Sequence, residues 1–303
     1  MKRVIALSRL LCLNNCDKQE FKMNSKQPIG KVILAGAGPG DADLITVKLQ
    51  KRLAEADVIL VDRLVNPEII DNYARKDVLI LMTGKQGYHD GSVAQEDINT
   101  LIVGHAKNGK TVLRLKGGDV AFFSNVLEEL KALQESGIPF EIIPGITAAS
   151  GVSAYTGIPL TARGYAKGVQ FITYNPCSHY SPEKWKTWAA TSDTLVFYMG
   201  TRNLFDLTEL LLRYSKKPFT PLAVIEQATT EHQRVHITTL ENCVIDFANK
   251  EFSSPSLVIV GEVVSLHKEF NWFAADKAGS VFKELSQEDH RTIYNAIDNK
   301  ITL

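Results

Sequence analysis

The chain has 303 residues, 34 Lys plus Arg against 34 Asp plus Glu, and 45% hydrophobic residues, enough to fill the cores of one large or two moderate domains. A net charge of zero argues against a nucleic-acid partner bound by phosphate neutralisation, which calls for a basic excess. No apolar run approaches the ~18 residues of a membrane span, because Arg9 interrupts Val4 to Leu13, and the four cysteines, Cys12, Cys16, Cys177 and Cys243, are too few and irregular for a disulfide framework or a zinc site.

Residues 1–28 read as a disordered leader or a misassigned start. Lys2 and Arg3 ahead of VIALSRLLCL imitate a secretory signal, but Arg9 breaks the apolar stretch, no A-x-A site follows, and Met23 offers a second start. From Ile29 short Val- and Ile-rich runs alternate with amphipathic segments. Lys31–Ala35, Val58–Val61, Val78–Met82, Thr111–Leu115 and Phe140–Ile143 are predicted strands. Between them helices are predicted over Ile45–Ala56, from a Ser92/Gln95 capping box to Asn108, and over Val126–Ser136, stopped by Gly137. Such alternation implies right-handed crossovers and a mainly parallel sheet.

After Pro144 the texture changes. Thr147–Thr156 is a small-residue helix, and Val169–Tyr174, Thr194–Met199, Pro221–Ile225, Val235–Thr239 and Leu257–Val260 are five more predicted strands. Helices at 183–190, 203–214 and 240–249 are fewer than the gaps, which favours a mixed second sheet. The organisation expected is an N-terminal α/β domain at 29–144, a C-terminal α/β domain at 145–273 and a helical tail at 274–303.

Three small-residue loops fall at the carboxyl edge of the first sheet, where open α/β folds bind ligands. They are Gly36–Asp41, Lys116–Asp119, and Pro144–Ala149 at a helix start. The first is no dinucleotide fingerprint: Asp41 stands where the third glycine belongs, and Pro39 removes an amide that a pyrophosphate would use. Asp62 after the second strand could still imitate a ribose-binding acid, so a nicotinamide enzyme and a plain tight turn stay open at this point. The seven histidines, His89, His105, His179, His232, His236, His267 and His290, lack metal-ligand spacing, and no metal is expected.

The segments KVILAGAGPGDADLITV, DRLV at 62–65, LRLKGGD at 113–119, IPFEIIPGITAASG at 138–151, AYTGIPLTAR at 154–163, LVFYMG at 195–200, EQATTEHQRV at 226–235 and SPSLVIVGEVVSLH at 254–267 resemble the tetrapyrrole methylase family. The resemblance runs in order from about Gly30 to Phe273. GPGD and GGD mark the wider family; PGIT-A, GIPLT-R and GEVV are similar to its branch that methylates uroporphyrinogen III.

The resemblance implies a cytoplasmic homodimer whose subunits hold S-adenosylmethionine between two α/β domains, one with a mainly parallel and one with a mixed sheet. It further implies methylation of a small-molecule tetrapyrrole, uroporphyrinogen III, at C2 and C7 to give precorrin-2, with neither nucleic acid nor membrane as partner. Motif matching puts the cofactor contacts on Pro39, Gly117, Gly118, Asp119, Thr147, Ala148, Met199, Ala228 and Ser256. Asp62 and Arg163 take catalytic roles, and Arg63, Leu64, Glu128 and Arg163 face the substrate. Many carboxylates on the substrate call for arginines, with bidentate geometry preferred; Arg114 is a further candidate or, mid-strand, the partner of a helix charge, and His89 in GYHDGS is a further contact. The chain departs from the family pattern GGDP-x-x-FGRGGEE, having Val120 for Pro and Ser124-Asn125-Val126-Leu127 for the Gly-Arg-Gly-Gly run. PLTHR reads PLTAR, with Ala162, and TGH reads Thr173-Tyr174-Asn175. These changes on the substrate side keep a later precorrin methylase and a non-catalytic paralogue open.

Overall fold

The computed structural model describes residues 28–84, 93–175, 177, 179–282 and 286–301. The leader with Cys12 and Cys16, Ser92 of the expected capping box and His89 lie outside the described residues.

The first five strands are β1 (Lys31–Gly36), β2 (Val58–Val61), β3 (Leu79–Met82), β4 (Thr111–Lys116) and β5 (Phe140–Ile143). They form one sheet in the order β3-β2-β4-β1-β5, parallel at every pairing. Helices cover both faces, so the inner strands are apolar on both sides. Ile33, Ala35, Ile59 and Leu113 pack with Leu49 and Leu53 of α1 (Val47–Glu55) and Ile69 of α2 (Pro67–Tyr73). Val32, Leu34, Leu60 and Val112 pack with Ile98, Leu101 and Ile102 of α3 (Gln95–Lys107) and Leu133 of α4 (Val126–Glu135). The helix α2 was not expected from the sequence: seven residues is short for a periodic signal, yet Asn66 caps it by accepting from the Glu68 amide, and Pro67 opens it. The α3 expectation is corrected at its start, since the N-cap is Ala94 with no side-chain cap bond and Gln95 is the first helical residue.

The small-residue helix α5 (Ala148–Thr156) ends at Gly157 in a left-handed cap (φ 65°). It leads to the second sheet, β6 (Val169–Thr173), β7 (Thr194–Tyr198), β8 (Pro221–Glu226), β9 (Arg234–Thr239) and β10 (Ser256–Val260), in the order β6-β7-β10-β8-β9. Only β6 and β7 run parallel, so this sheet is mixed. Trp185 and Trp188 of α6 (Pro182–Ala190), Leu207 and Leu211 of α7 (Leu204–Arg213) and Phe247 of α8 (Cys243–Phe247) cover one face. Ala149 and Val152 of α5, with Val263 and Val264 of the short turn ahead of α9 (His267–Phe270), cover the other. The expected helix at 240–249 shrinks to α8, and that at 203–214 begins with a 3-10 turn over Thr201–Asn203.

The tail differs from the expectation. Residues 274–282 are not helical; the helix is α10 (Gln287–Ile301), and its Ile293 is fully buried against the α3 face of the first sheet. It completes that core rather than trailing from it.

Candidate functional site

Because every strand of the first sheet is parallel, the loops after β1, β2, β4 and β5 emerge at one edge. The β1–β4 ladder continues into two of them. The Ala37 amide donates to the Lys116 carbonyl (2.8 Å), and Gly38 and Gly118 exchange two backbone bonds (3.1 and 2.7 Å). Here the glycines are required by contact: a Cβ at Gly36 or Gly145 would run into the Gly118 carbonyl, and one at Gly117 would lie 2.6 Å from the Leu64 carbonyl. Asp119 is buried, and its carboxylate accepts from the Ala121 amide (2.7 Å) and the Gly145 amide (2.8 Å), which ties the β4 loop to the β5 loop. Each oxygen retains a lone pair.

Under this rim lies a buried charge cluster. Arg114 donates to Glu129 (2.9 Å) and to Thr83 Oγ1 (2.8 Å), and Lys116 Nζ donates to both Glu129 oxygens (3.2 and 3.1 Å). Burial, and then the Arg114 charge, lower the Lys116 pKa against the pull of Glu129. Of the two readings of Arg114 the structure shows the pairing with a helix charge: it sits mid-strand, 3% exposed, with its guanidinium spent on α4 and the neighbouring strand.

The facing rim comes from the second sheet. β7 and β8 are each antiparallel to the strand between them, β10, with Tyr198 opposite Leu257 and Glu226 opposite Ser256. Met199, Gln227–Thr230 and Ser256 therefore gather at one edge. Three of these residues hold the left-handed conformation without being glycine: Met199 (φ 60°), Gln227 (φ 47°) and Thr229 (φ 68°), which is costly, most of all for a β-branched side chain. Thr229 is held on both sides, its amide donating to Gln233 Oε1 (2.9 Å) and its hydroxyl accepting from the Asp41 amide (2.9 Å). The second bond joins the two rims. Pro39 packs on Gly151 of α5, and Tyr155 donates to Asp41 Oδ2 (2.6 Å), burial and the Asp41 carboxylate pushing its pKa up to about 12. Tyr198 Oη bonds Thr147 Oγ1 (2.9 Å) and accepts from the Ala149 amide (3.1 Å); Ser256 and Thr201 share a hydroxyl bond (2.7 Å).

The nine expected cofactor positions thus divide between two rims in contact. Pro39, Gly117, Gly118, Asp119, Thr147 and Ala148 lie on the first, and Met199, Ala228 and Ser256 on the second. Of the expected substrate group, Asp62, Arg63 and Leu64 follow β2 beside the first rim. Asp62 Oδ1 accepts from the Arg63 amide (2.8 Å), and Arg63 Nη2 reaches across to Ser254 Oγ (3.1 Å). Arg163 is exposed at the tip of a turn closed by Ala162 and Ala166, and Glu128 is exposed on α4; neither makes an ion pair among the described residues. At Gly118 a Cβ would meet nothing nearer than the Ala148 amide at 3.7 Å, and the obstacle to a side chain is the backbone, at φ 66°. Tyr198, Gln227 and Thr229 were not singled out in the sequence, because their roles lie in backbone conformation and cross-unit bonds that no residue type announces.

Among the described residues no helix is long and apolar enough to cross a membrane, and no cluster of His, Cys, Asp and Glu could hold a metal. The profile of the "Tetrapyrrole (Corrin/Porphyrin) Methylases" matches residues 31–243. A siroheme synthase from Ectopseudomonas mendocina is 46% identical over 245 residues, 81% of this chain and 53% of that protein. One from Pseudomonas putida is 48% identical over 244 residues, 80% of this chain and 52% of that protein. The chain spans about half the length of these curated relatives. Among solved structures, uroporphyrin-III C-methyl transferase from Thermus thermophilus, complexed with S-adenyl homocysteine, is 34% identical, with a TM-score of 0.66 over 78% of this chain and 100% of that one.

Proposed function

Because the chain belongs to the tetrapyrrole methylase family, we propose that it methylates uroporphyrinogen III at C2 and C7, with S-adenosylmethionine as donor, to give precorrin-2 for siroheme or cobalamin synthesis. The observation that carries this reading is the pair of facing rims, glycine backbone and a buried Asp119 on one side, Met199, Ala228 and Ser256 on the other. These residues fit the donor. Open room at Gly118 admits close approach, Asp119 keeps lone pairs for ribose hydroxyls, and Ala148 and Ala228 offer small walls for adenine. The Ala148 amide opens α5 and has no acceptor within the helix. Nothing here resembles a phosphate nest, and the donor has no phosphate.

When bound, S-adenosylmethionine supplies an activated methyl group. The chain's part is alignment: a pyrrole carbon must reach that methyl within roughly 3–3.5 Å, and orientation of this kind supplies several kcal/mol of barrier lowering. Asp62, held by the Arg63 amide, is suited to accept from pyrrole N–H groups. Arg63 and Arg163 have guanidinium donors available for the substrate's carboxylates, since among the described residues neither is paired with an acid. We read the working form as a cytoplasmic homodimer.

An anaerobic assay with uroporphyrinogen III and S-adenosylmethionine tests the reading. A product carrying two added methyl groups supports it. A product from an already methylated precorrin alone would place the chain later in the sequence, and absence of turnover with intact donor binding would make it a non-catalytic paralogue. Within that assay Arg163→Ala should raise the tetrapyrrole KM about tenfold, ~1.4 kcal/mol, with donor affinity unchanged. Arg163→Lys should not restore it, since an ammonium cannot reproduce a bidentate fork. Normal kinetics in either variant would remove Arg163 from the substrate side.

A further inference from the structure

A side-chain network outside the rims centres on Glu226, the last residue of β8, which is 2% exposed. One of its oxygens accepts from the Ser253 amide (2.5 Å) and hydroxyl (2.7 Å), and the other from His236 Nε2 (2.7 Å). Arg234 lies 3.4 Å from the second oxygen and also donates to Ser253 Oγ (3.2 Å). Lys250 Nζ approaches His236 Nδ1 (3.1 Å). Burial pushes the Glu226 carboxyl up, but the bonds from His236 and Ser253 and the Arg234 charge outweigh it and hold the group down to about 2.

What this carboxylate holds is a turn. Ser253 is followed by Ser254, which accepts from Arg63 Nη2 (3.1 Å), and the turn ends at Ser256, paired with Thr201 (2.7 Å). The Gln227 amide bonds the Pro255 carbonyl (2.8 Å) from the other side. Among the described residues Arg63 has no acidic partner, so the second unit's turn, not a charge on its own unit, sets where its guanidinium stands.

We infer that Glu226 is a positioning residue, acting through the Ser253–Ser256 turn to hold the Arg63 guanidinium across the crevice for a carboxylate of the substrate. The inference deepens the proposed methyl transfer and rests on it for the substrate's identity. A network that merely stabilised the β8–β9 hairpin would have no reason to reach Arg63, and it would change melting temperature without a selective change in tetrapyrrole binding.

The test uses the full chain and four variants, Ser254→Ala, Ser254→Thr, Glu226→Gln and Arg63→Ala, with kinetics read well below every melting transition. Ser254→Ala removes one hydroxyl and leaves the core intact. It should raise the tetrapyrrole KM three- to tenfold with kcat and donor affinity held, and Ser254→Thr should restore the wild-type value. Glu226→Gln should raise KM at least as much, and combining either variant with Arg63→Ala should add nothing to the Arg63→Ala effect, since residues acting as one unit are not additive. Full additivity, or an unchanged KM in Ser254→Ala, would overturn the inference. The Arg63 side-chain resonance, assigned by its loss in Arg63→Ala, is a readout that needs no turnover. It should shift in Ser254→Ala and Glu226→Gln, and a fixed resonance overturns the coupling. A wild type without turnover would defeat the functional reading alone, because the resonance still reports whether Glu226 sets Arg63.

Discussion

The two rims shape their backbone by opposite means. On the first, glycine occupies the tight places: Gly36, Gly117 and Gly145 have neighbours where a Cβ would go. On the second, Met199, Gln227 and Thr229 adopt left-handed backbone with full side chains, and cross-links such as Thr229 to Asp41 and Gln233 hold at least part of it in place. A glycine rim is cheap in the folded state, though it loses more entropy on folding. A strained rim stores about 1–3 kcal/mol per residue but keeps side chains at the crevice. The difference shows how closely each rim tolerates change: the first should fail through sterics, the second through loss of the bonds that oppose its strain.

The largest effect expected is on the first rim. Gly145→Ala drives a methyl into the Gly118 carbonyl and against Gly36, with backbone on every side and no rotamer to yield. Overpacking of this kind should cost about 3 kcal/mol or more and part the loops after β1, β4 and β5. Gly137→Ala is the control: it has φ 65° and nothing within 4 Å, so only the left-handed cost of about 1–2 kcal/mol applies. Thermal unfolding of both variants checks it. Equal losses would mean that conformation, not contact, is what glycine supplies on the first rim, and the contrast would collapse.

This contrast also explains what the sequence could and could not reveal. The ten strands were legible because Val and Ile runs of four to six residues leave little else to be, and the glycine loops because glycine is itself the signal. Resemblance placed Asp119 at the site; its grip on two backbone amides has no signature, since an aspartate reads the same whether it faces a ligand or its own loop. The second rim was illegible for a related reason: nothing in Tyr-Met-Gly or Glu-Gln-Ala-Thr says that Met199, Gln227 and Thr229 are left-handed, a state imposed by tertiary bonds. Arg114 read two ways, as a ligand or as the partner of a helix charge, because an arginine in a strand before a glycine loop looks available, and Glu129 on the next helix occupies it.

A middle-sized effect should separate the anchors beneath the rims by pH. The Glu226 carboxyl is held down to about 2 from an ordinary value near 4.5, so its folded pKa is depressed. Its contribution is fully present above the unfolded pKa and is lost as pH falls from about 4.5 toward 2, about 3 kcal/mol over the whole window. By pH 3 about 2 kcal/mol of this should be gone. Denaturant unfolding at pH 7 and pH 3 should therefore show a steeper loss in the wild type than in Glu226→Gln. Parallel losses would mean that the carboxylate is not what holds the second rim's turn.

The smallest effect expected is a gain. Met199 is 53% exposed yet left-handed, so its conformation costs about 1–2 kcal/mol and its side chain returns little through burial. Met199→Gly removes that cost and adds roughly 0.5–1 kcal/mol of unfolded-state entropy, leaving a net stabilisation of up to about 1 kcal/mol, or ~1.5 °C in Tm for a chain of this size. Met199→Ala keeps the strain and should leave Tm nearly unchanged. Because Met199 belongs to the proposed donor rim, both variants should weaken S-adenosylmethionine binding by a similar factor. Calorimetric Kd would then follow the side chain while Tm follows the backbone. A fall in Tm for Met199→Gly would show that the left-handed turn after β7 carries no strain, and that the second rim, like the first, is shaped by contacts alone.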